Sequence, residues 1–215
     1  TGGYGIYIYD STGGYTKNLI LKNINISGAG DRGIYILAYQ PGSENIEITQ
    51  TTVTGGNNNG VEIYGRGNIN IHNNPSSFSN NIGWGLWIQG YDNPNTTLTN
   101  NTITENGNGL RLQGINFANI VDNSICNYAG TDFYSTADCE GNVVDNLSLG
   151  VNHPTTISFT YDDGISIKGV ESAPSNPDGY QNIGKYVDIM AVTGTSWIDV
   201  RVHYTGGDVT NIDED

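Results

Sequence analysis

Gly33-Ile34-Tyr35-Ile36 and Asn45-Ile46-Glu47-Ile48 are two four-residue stretches that come back again and again along this chain. The first returns as Gly5-Ile6-Tyr7-Ile8, Gly60-Val61-Glu62-Ile63, Gly85-Leu86-Trp87-Ile88 and Gly109-Leu110-Arg111-Leu112, 24 to 28 residues apart. The second is led by Asn18, Asn45, Asn68, Asn95, Asn119 and Asn142, at intervals of 27, 23, 27, 24 and 23 residues. Two registers held in phase over about 140 residues, with a period between about 20 and 30, are the mark of coils stacked on one another.

Within each block the apolar residues alternate with period 2, as Ile6 and Ile8 do around Tyr7, and Val61 and Ile63 around Glu62. That is the period of a strand. Residues 1–150 are rich in Gly, Asn, Thr and β-branched residues and carry no sustained apolar stripe at helical spacing, so helices are disfavoured there. Each coil therefore holds two or three short parallel strands, and the chain climbs about 4.8 Å per coil.

A repeated asparagine at a coil corner needs hydrogen-bond partners, because a buried amide without them is costly. Five residues after the leading Asn stand Asn23, Gln50, Asn73 and Asn100, with Asn123 and Asn146 one position earlier in the last two coils. Stacked amides can bond to one another and to the backbone of their own turn, forming a ladder. Asparagines that simply decorate loops are the alternative.

The chain has 215 residues, with 30 Gly, 14 Tyr, only 8 Lys plus Arg and a net charge of −14. Such an acidic surface is a poor match for nucleic acid, which needs clustered cations. No apolar run is long enough to span a membrane and no signal peptide is recognisable, while the chain opens almost directly on a coil strand, as a processed product or a fragment would. The composition suits an extracellular, cell-surface protein. Sequons at Asn25, Asn95, Asn100 and Asn146 are compatible with glycosylation, though an Asn- and Thr-rich chain produces sequons by composition alone. Cys126 and Cys139 are expected to form a disulfide in an oxidising compartment, since two thiols without a second pair or a nearby His match no zinc spacing.

The pattern changes at Asn152-His153-Pro154. Beyond it Ile157, Phe159 and Tyr161, then Ile165 and Ile167, Val187 and Ile189, and finally Ile198, Val200, Val202 and Tyr204 alternate with polar residues. Four antiparallel strands with one buried face are expected, joined by a loop from Glu171 to Gly184 that contains Pro174 and Pro177. Some 60 residues are few for a closed sandwich, so the sheet is expected either to continue beyond residue 215 or to be completed by a neighbour.

Residues 1–150, through blocks such as Asn45-Ile46-Glu47-Ile48 and Asn108-Gly109-Leu110-Arg111-Leu112, resemble the right-handed parallel β-helix repeats of carbohydrate-binding and sugar-hydrolase proteins. Ala129-Gly130-Thr131-Asp132-Phe133-Tyr134 is similar to the last-coil segment of such proteins. Asp163-Gly164-Ile165-Ser166-Ile167-Lys168-Gly169-Val170 and Asn182-Ile183-Gly184-Lys185-Tyr186-Val187 resemble a β-domain that follows such helices in large cell-surface proteins of methanogenic archaea. In that family the domain continues past a position like Asp213-Glu214, and this chain departs from it there. The resemblance implies an all-β fold: a right-handed parallel β-helix over residues 1–152, then an antiparallel, incomplete β-sandwich-like module over residues 153–215. It says little about activity.

Lyases of this fold pair an Arg or Lys base with calcium held by carboxylates, and glycoside hydrolases need two suitably spaced carboxyl groups. The outward column of the Gly-led strands offers Tyr7, Tyr35, Glu62, Trp87 and Arg111, with one carboxylate and no paired Asp; no Gly-His-Gly or Arg-x-Lys unit is present, so no catalytic residues are assigned. Tyr7, Tyr9, Tyr35, Tyr64 and Trp87 instead make a candidate face for a glycan or a protein, unless strand preference alone put them there. His72, His153, His203 and Met190 are isolated, so no metal site is expected. Calcium is the one cofactor the acidic residues Asp162, Asp163, Asp208, Asp213, Glu214 and Asp215 would suit, although such tails are usually just solvated. The expected function is a non-catalytic cell-surface structural protein that self-associates, or joins other envelope proteins, in a layer, sheath or filament. The alternative is a carbohydrate-active enzyme or glycan-binding module acting on envelope polysaccharide.

Overall fold

The computed structural model describes residues 2–91, 95–127, 129–170, 172, 175 and 183–209; at 75–77 it describes the backbone only. The first coil comprises β1 (Ile6–Tyr9), β2 (Lys17–Lys22) and β3 (Asn25–Ser27). The second comprises β4 (Ile34–Ala38), β5 (Glu44–Thr49) and β6 (Thr52–Thr54). In the third and fourth coils the last two strands run together: β7 (Val61–Gly65) and β8 (Ile69–Ser79), then β9 (Trp84–Gly90) and β10 (Thr96–Thr104). There follow β11 (Asn108–Gln113), β12 (Asn119–Val121) and β13 (Ser124–Cys126), then β14 (Phe133–Ser135) and β15 (Asn142–Leu149). The remaining strands are β16 (Thr155–Asp162), β17 (Ile165–Gly169), β18 (Val187–Ala191) and β19 (Trp197–His203). There is no helix among the described residues.

Every pairing between successive coils up to β15 is parallel. Gly-led strands build one sheet, in the order β1-β4-β7-β9-β11-β14, and Asn-led strands build a second, β2-β5-β8-β10-β12-β15, with short third strands closing each coil. Inward positions file up as Ile34, Val61, Leu86 and Leu110 on the first sheet, Ile46, Ile69, Leu98 and Ile120 on the second, and Val53, Phe78, Ile103 and Ile125 on the third side, all essentially inaccessible. Each such aliphatic side chain contributes about 1.5–3 kcal/mol through burial.

The leading glycines have a steric cause. Gly60 does not need a positive φ; a Cβ there would stand 2.6 Å from Asn81 Nδ2 and 2.7 Å from the Gly85 carbonyl oxygen. The coil is too narrow at this point for a side chain, because the Asn81 amide that follows β8 and the next coil's backbone already fill the space.

Asparagines hold the corners in two different ways. Asn23, Gln50, Asn73, Asn100, Asp122 and Asn146 have φ between 50° and 57°, turning the chain from the second sheet into the third strand, a conformation Asn tolerates better than most residues. The buried ladder lies one residue further on: Thr51 N donates to Asn74 Oδ1 at 2.7 Å, Asn74 Nδ2 to Asn101 Oδ1 at 2.7 Å, and Asn101 N and Nδ2 to Asn123 Oδ1 at 3.0 and 2.9 Å. Asn123 is thus the equivalent of Asn101 and not of Asn100, which corrects the spacing expected above. A second buried ladder follows the third strand. There Gly56 N, Asn81 N and Asn106 N donate to the Oδ1 atoms of Asn81, Asn106 and Asn127, and Asn127 in turn reaches Asp132. Of the leading asparagines, Asn68, Asn45 and Asn18 form a third, exposed chain, at 2.9 and 2.8 Å.

The last four strands are antiparallel, with Ile157, Phe159 and Tyr161 turned inward as the alternation implies. They prolong both sheets of the helix: β17 and β18 follow β14, while β16 and β19 follow β15. Phe133 meets Phe159 and Tyr161 edge-on at 5.4 and 5.9 Å, so the apolar interior runs on from the coils into these strands. Of the loop from Glu171 to Gly184, Pro174 and Pro177 lie outside the described residues, as do Asp213, Glu214 and Asp215.

The expected Cys126–Cys139 disulfide is absent. Cys126 ends β13 with its sulfur 3.6 Å from Ser124 Oγ, whereas Cys139 is buried in the turn after β14, where it accepts from Ile115 N at 3.4 Å. The whole β14 strand lies between the two positions.

Candidate functional site

Strand register brings the anticipated outward column together: Tyr7 stands beside Tyr35, Tyr35 beside Glu62, Glu62 beside Trp87, Trp87 beside Arg111, and Arg111 beside Tyr134. Tyr9 and Tyr64 belong to the neighbouring file, with Leu37 between them. The rings touch in an unbroken series. Tyr4 stacks on Tyr7 at 4.9 Å and Tyr7 on Tyr35 at 5.5 Å; Tyr35 meets Tyr64 edge-on at 6.0 Å, and Tyr64 meets Trp87 at 6.0 Å. Tyr9, Tyr39 and Tyr91 form a parallel row at 6.4 and 6.0 Å. Stacking covers part of each face, yet Tyr7 and Tyr9 each keep 51 % of their surface in solvent.

Glu62 departs from expectation. Placed in the outward column, it is nonetheless 0 % exposed. Its Oε2 accepts from Arg32 Nε and from Asn59 Nδ2, both at 2.5 Å, while Oε1 has no hydrogen-bond partner. Arg32 also donates to Asp31 at 2.9 Å and lies over the Tyr35 ring at 4.4 Å. Partial burial pulls the Arg32 pKa down, but the hydrogen bond and charge of Glu62, with Asp31, outweigh it and leave a net rise. Burial and then the Glu62 carboxylate push the Tyr64 phenol up to about 12 and raise Tyr35 as well. Arg32 and Asn59 sit in turns that precede β4 and β7, outside the repeated four-residue blocks, so the sequence pattern did not announce them.

Arg111 lies over Trp87 at 4.2 Å, with Tyr134 at 5.7 Å and Trp84 at 5.9 Å. It donates to Gln113 Oε1 at 3.2 Å. Its Nε and the indole Nε1 of Trp87 are buried without hydrogen-bond partners.

The other anticipated residues lie apart from this face. Asn25, Asn95, Asn100 and Asn146 are exposed, with Asn100 and Asn146 donating to Asn73 and Asp122 at 3.4 and 3.1 Å. His72 contacts Glu47 at 3.1 Å, His153 packs on Tyr186, and His203 lies 2.7 Å from Ser158 Oγ, so the three histidines do not converge. Asp208 pairs with Lys185 at 3.5 Å, and hydrogen bonds from Thr205 lead the causes that lower its pKa. No group of three or more potential metal ligands occurs among the described residues. Among the described residues, no helix is long and apolar enough to cross a membrane.

A family model described as "Right handed beta helix region" matches residues 4–173. The chain belongs to the right-handed β-helix family. No curated protein and no solved structure matches it. The family region extends past β15 and takes in β16 and β17, so in this right-handed β-helix protein the first antiparallel strands fall inside the matched span.

Proposed function

We propose that this chain is an extracellular, cell-surface glycan-binding β-helix whose ligand lies along the aromatic face of the Gly-led sheet. The supporting observation is the unbroken series of ring contacts from Tyr4 through Tyr7, Tyr35 and Tyr64 to Trp87, in a face that remains half open to solvent at Tyr7. Rings wedged against one another and pinned to strands lose little side-chain freedom when a ligand arrives, which favours binding. Polar groups set among rings, here Arg32, Gln89 and Arg111, suit the mixed apolar and hydroxylated surface of a sugar. The reading assigns binding without bond cleavage, because Glu62 is tied to Arg32 and Asn59 and the column supplies no second carboxylate. Glycans at Asn25, Asn95, Asn100 and Asn146 are part of the same reading, as is a division near residue 152 into a rod and a sandwich-like C-terminal module.

The test is retardation of the protein in native gels cast with envelope polysaccharide. Changing Tyr7, Tyr35 and Trp87 to Ala should weaken retardation at least about tenfold, since each stacking contact with a sugar is on the order of 1 kcal/mol. Equal retardation of wild type and variant sinks the reading.

A second reading, a structural role in an envelope layer, sheath or filament, draws on a different surface. Met190 and Trp197, on β18 and β19, are 55 % and 53 % exposed, and Val192, Val202 and Tyr204 are exposed as well. Large apolar residues left exposed at the ends of both sheets suit protein contacts. Light scattering of the wild type and of a Met190→Ser, Trp197→Ser variant separates the two readings, since only the assembly reading requires a mass that falls in the variant.

A further inference from the structure

We infer that Arg111 is an anion subsite on the aromatic face, reading the carboxylate of an isolated acidic sugar within a mostly neutral glycan. The inference rests on the glycan-binding reading and narrows it to one ligand class.

Three observations carry it. First, the chain holds 8 Lys and Arg against 22 Asp and Glu, yet Arg111 makes no ion pair among the described residues. Arg32, on the same face, is by contrast neutralised by Glu62 and Asp31. Second, Arg111 is held among aromatic rings: its guanidinium carbon lies over Trp87 at 4.2 Å, with Tyr134 at 5.7 Å and Trp84 at 5.9 Å. Rings beside a guanidinium make no use of its N–H donors, and its terminal pair can grip a carboxylate with two parallel hydrogen bonds. Third, among the described residues Arg111 donates only to Gln113 Oε1, at 3.2 Å; its Nε is buried and closed to a ligand, which leaves the N–H groups of the two terminal nitrogens to meet one. A charge fixed in place, with rings beside it and donors to spare, is arranged for a planar anion carried on a sugar ring.

The net charge decides what kind of acidic glycan. At −14 the protein repels a dense polyanion over its whole surface. A single carboxylate between neutral sugars meets Arg111 locally without that repulsion along its length. Glu62 lies two strands away in the same file, about 10 Å by strand spacing. Glu62 is buried and paired with Arg32, so that position offers a ligand no free cation, and the acidic sugar belongs at Arg111.

Calorimetry with three probes tests this: a neutral xylo-octasaccharide bearing a single glucuronate, the same oligosaccharide with that carboxylate methyl-esterified, and an oligogalacturonate of equal length. Wild type should bind the singly acidic oligosaccharide at least about tenfold more tightly than either of the others, with a change in Trp87 fluorescence that is absent from a Trp87→Phe variant. Arg111→Gln should erase the preference for the free acid, and Arg111→Lys, which keeps the charge but not the fork, should recover only part of it. Ester and acid binding equally, Arg111→Gln retaining the preference, or the oligogalacturonate binding tightest each overturns the inference. Loss of all three ligands in the Tyr7, Tyr35, Trp87 variant alongside an indifferent Arg111→Gln leaves the glycan-binding reading standing and removes only this one. Wild type that binds none of the probes or envelope polysaccharides removes both.

Discussion

Asn127 and Asp132 close the second buried ladder: the backbone N and the Nδ2 of Asn127 both donate to Asp132 Oδ1, at 2.9 and 3.1 Å. The other carboxylate oxygen accepts from Gly169 N at 2.7 Å, tying the last parallel coil to antiparallel β17. Both oxygens must be acceptors. Asp132→Asn places an amide N–H₂ against one of these donors, and destabilisation of about 2–3 kcal/mol is expected, the range for a buried hydrogen bond to a charged group. A lower urea midpoint with an unchanged slope verifies it.

Asn100 and Asn101 are adjacent but do opposite work. Asn101 lies inside, linking Asn74 to Asn123, and Asn101→Ala strands buried donors and acceptors at a cost of about 1–3 kcal/mol or more. Asn100 is exposed with φ 53°, so Asn100→Gly should be close to neutral. Thermal unfolding of the pair distinguishes them, and equal losses would contradict the division into corner and ladder.

Gly60→Ala drives a methyl group against Asn81 and the Gly85 carbonyl. The backbone of two coils must shift, and destabilisation of about 1–3 kcal/mol is expected from overpacking. A methyl group added at Gly13 would meet nothing within 4 Å, but φ there is 83°, so any cost of Gly13→Ala arises from backbone strain alone. Urea midpoints of the two variants measure the steric and the conformational cost separately.

Burial raises the Tyr161 phenol above its ordinary value of 10.0. Its oxygen accepts from Asn142 Nδ2 at 2.8 Å. In the unfolded chain the same group ionises near pH 10, so above that pH the unfolded state binds fewer protons than the folded one. Stability is then present in full below about pH 10 and falls as pH rises further. Tyr64, at about 12, pulls in the same direction. Tyr161→Phe should flatten the decline between pH 10 and 12, read from denaturant midpoints across that window.

Strand type and coil stacking were legible because they follow from local alternation and a period that survives unequal coil lengths, as from Ile34-Tyr35-Ile36 to Val61-Glu62-Ile63. The role of each asparagine was less so. Asn100-Asn101 and Asn73-Asn74 are doublets in which either member could be the inward one, and only the register of Asn123 decides. Burial of Glu62 was hidden for a different reason: it depends on Arg32, 30 residues earlier in a turn of irregular length. The alternation of Ile157, Phe159 and Tyr161 revealed a buried face but not its partner, which is Phe133 in the last coil. Cys126 and Cys139 are near in sequence, yet a strand that crosses the coil keeps them apart.

The interior amides also give the rod an electrical direction. In both buried ladders the side-chain oxygen accepts from the preceding coil, and the backbone N–H beside it fixes that orientation. Carbonyl dipoles aligned in this way add, leaving partial positive charge towards the later coils. Asp132 stands at that end, as an anion does at the start of an α-helix. Extra coils spliced in ahead of Asn127 would lengthen the dipole and keep its counter-charge; a splice that removed Asp132 would bury a positive pole with nothing to answer it.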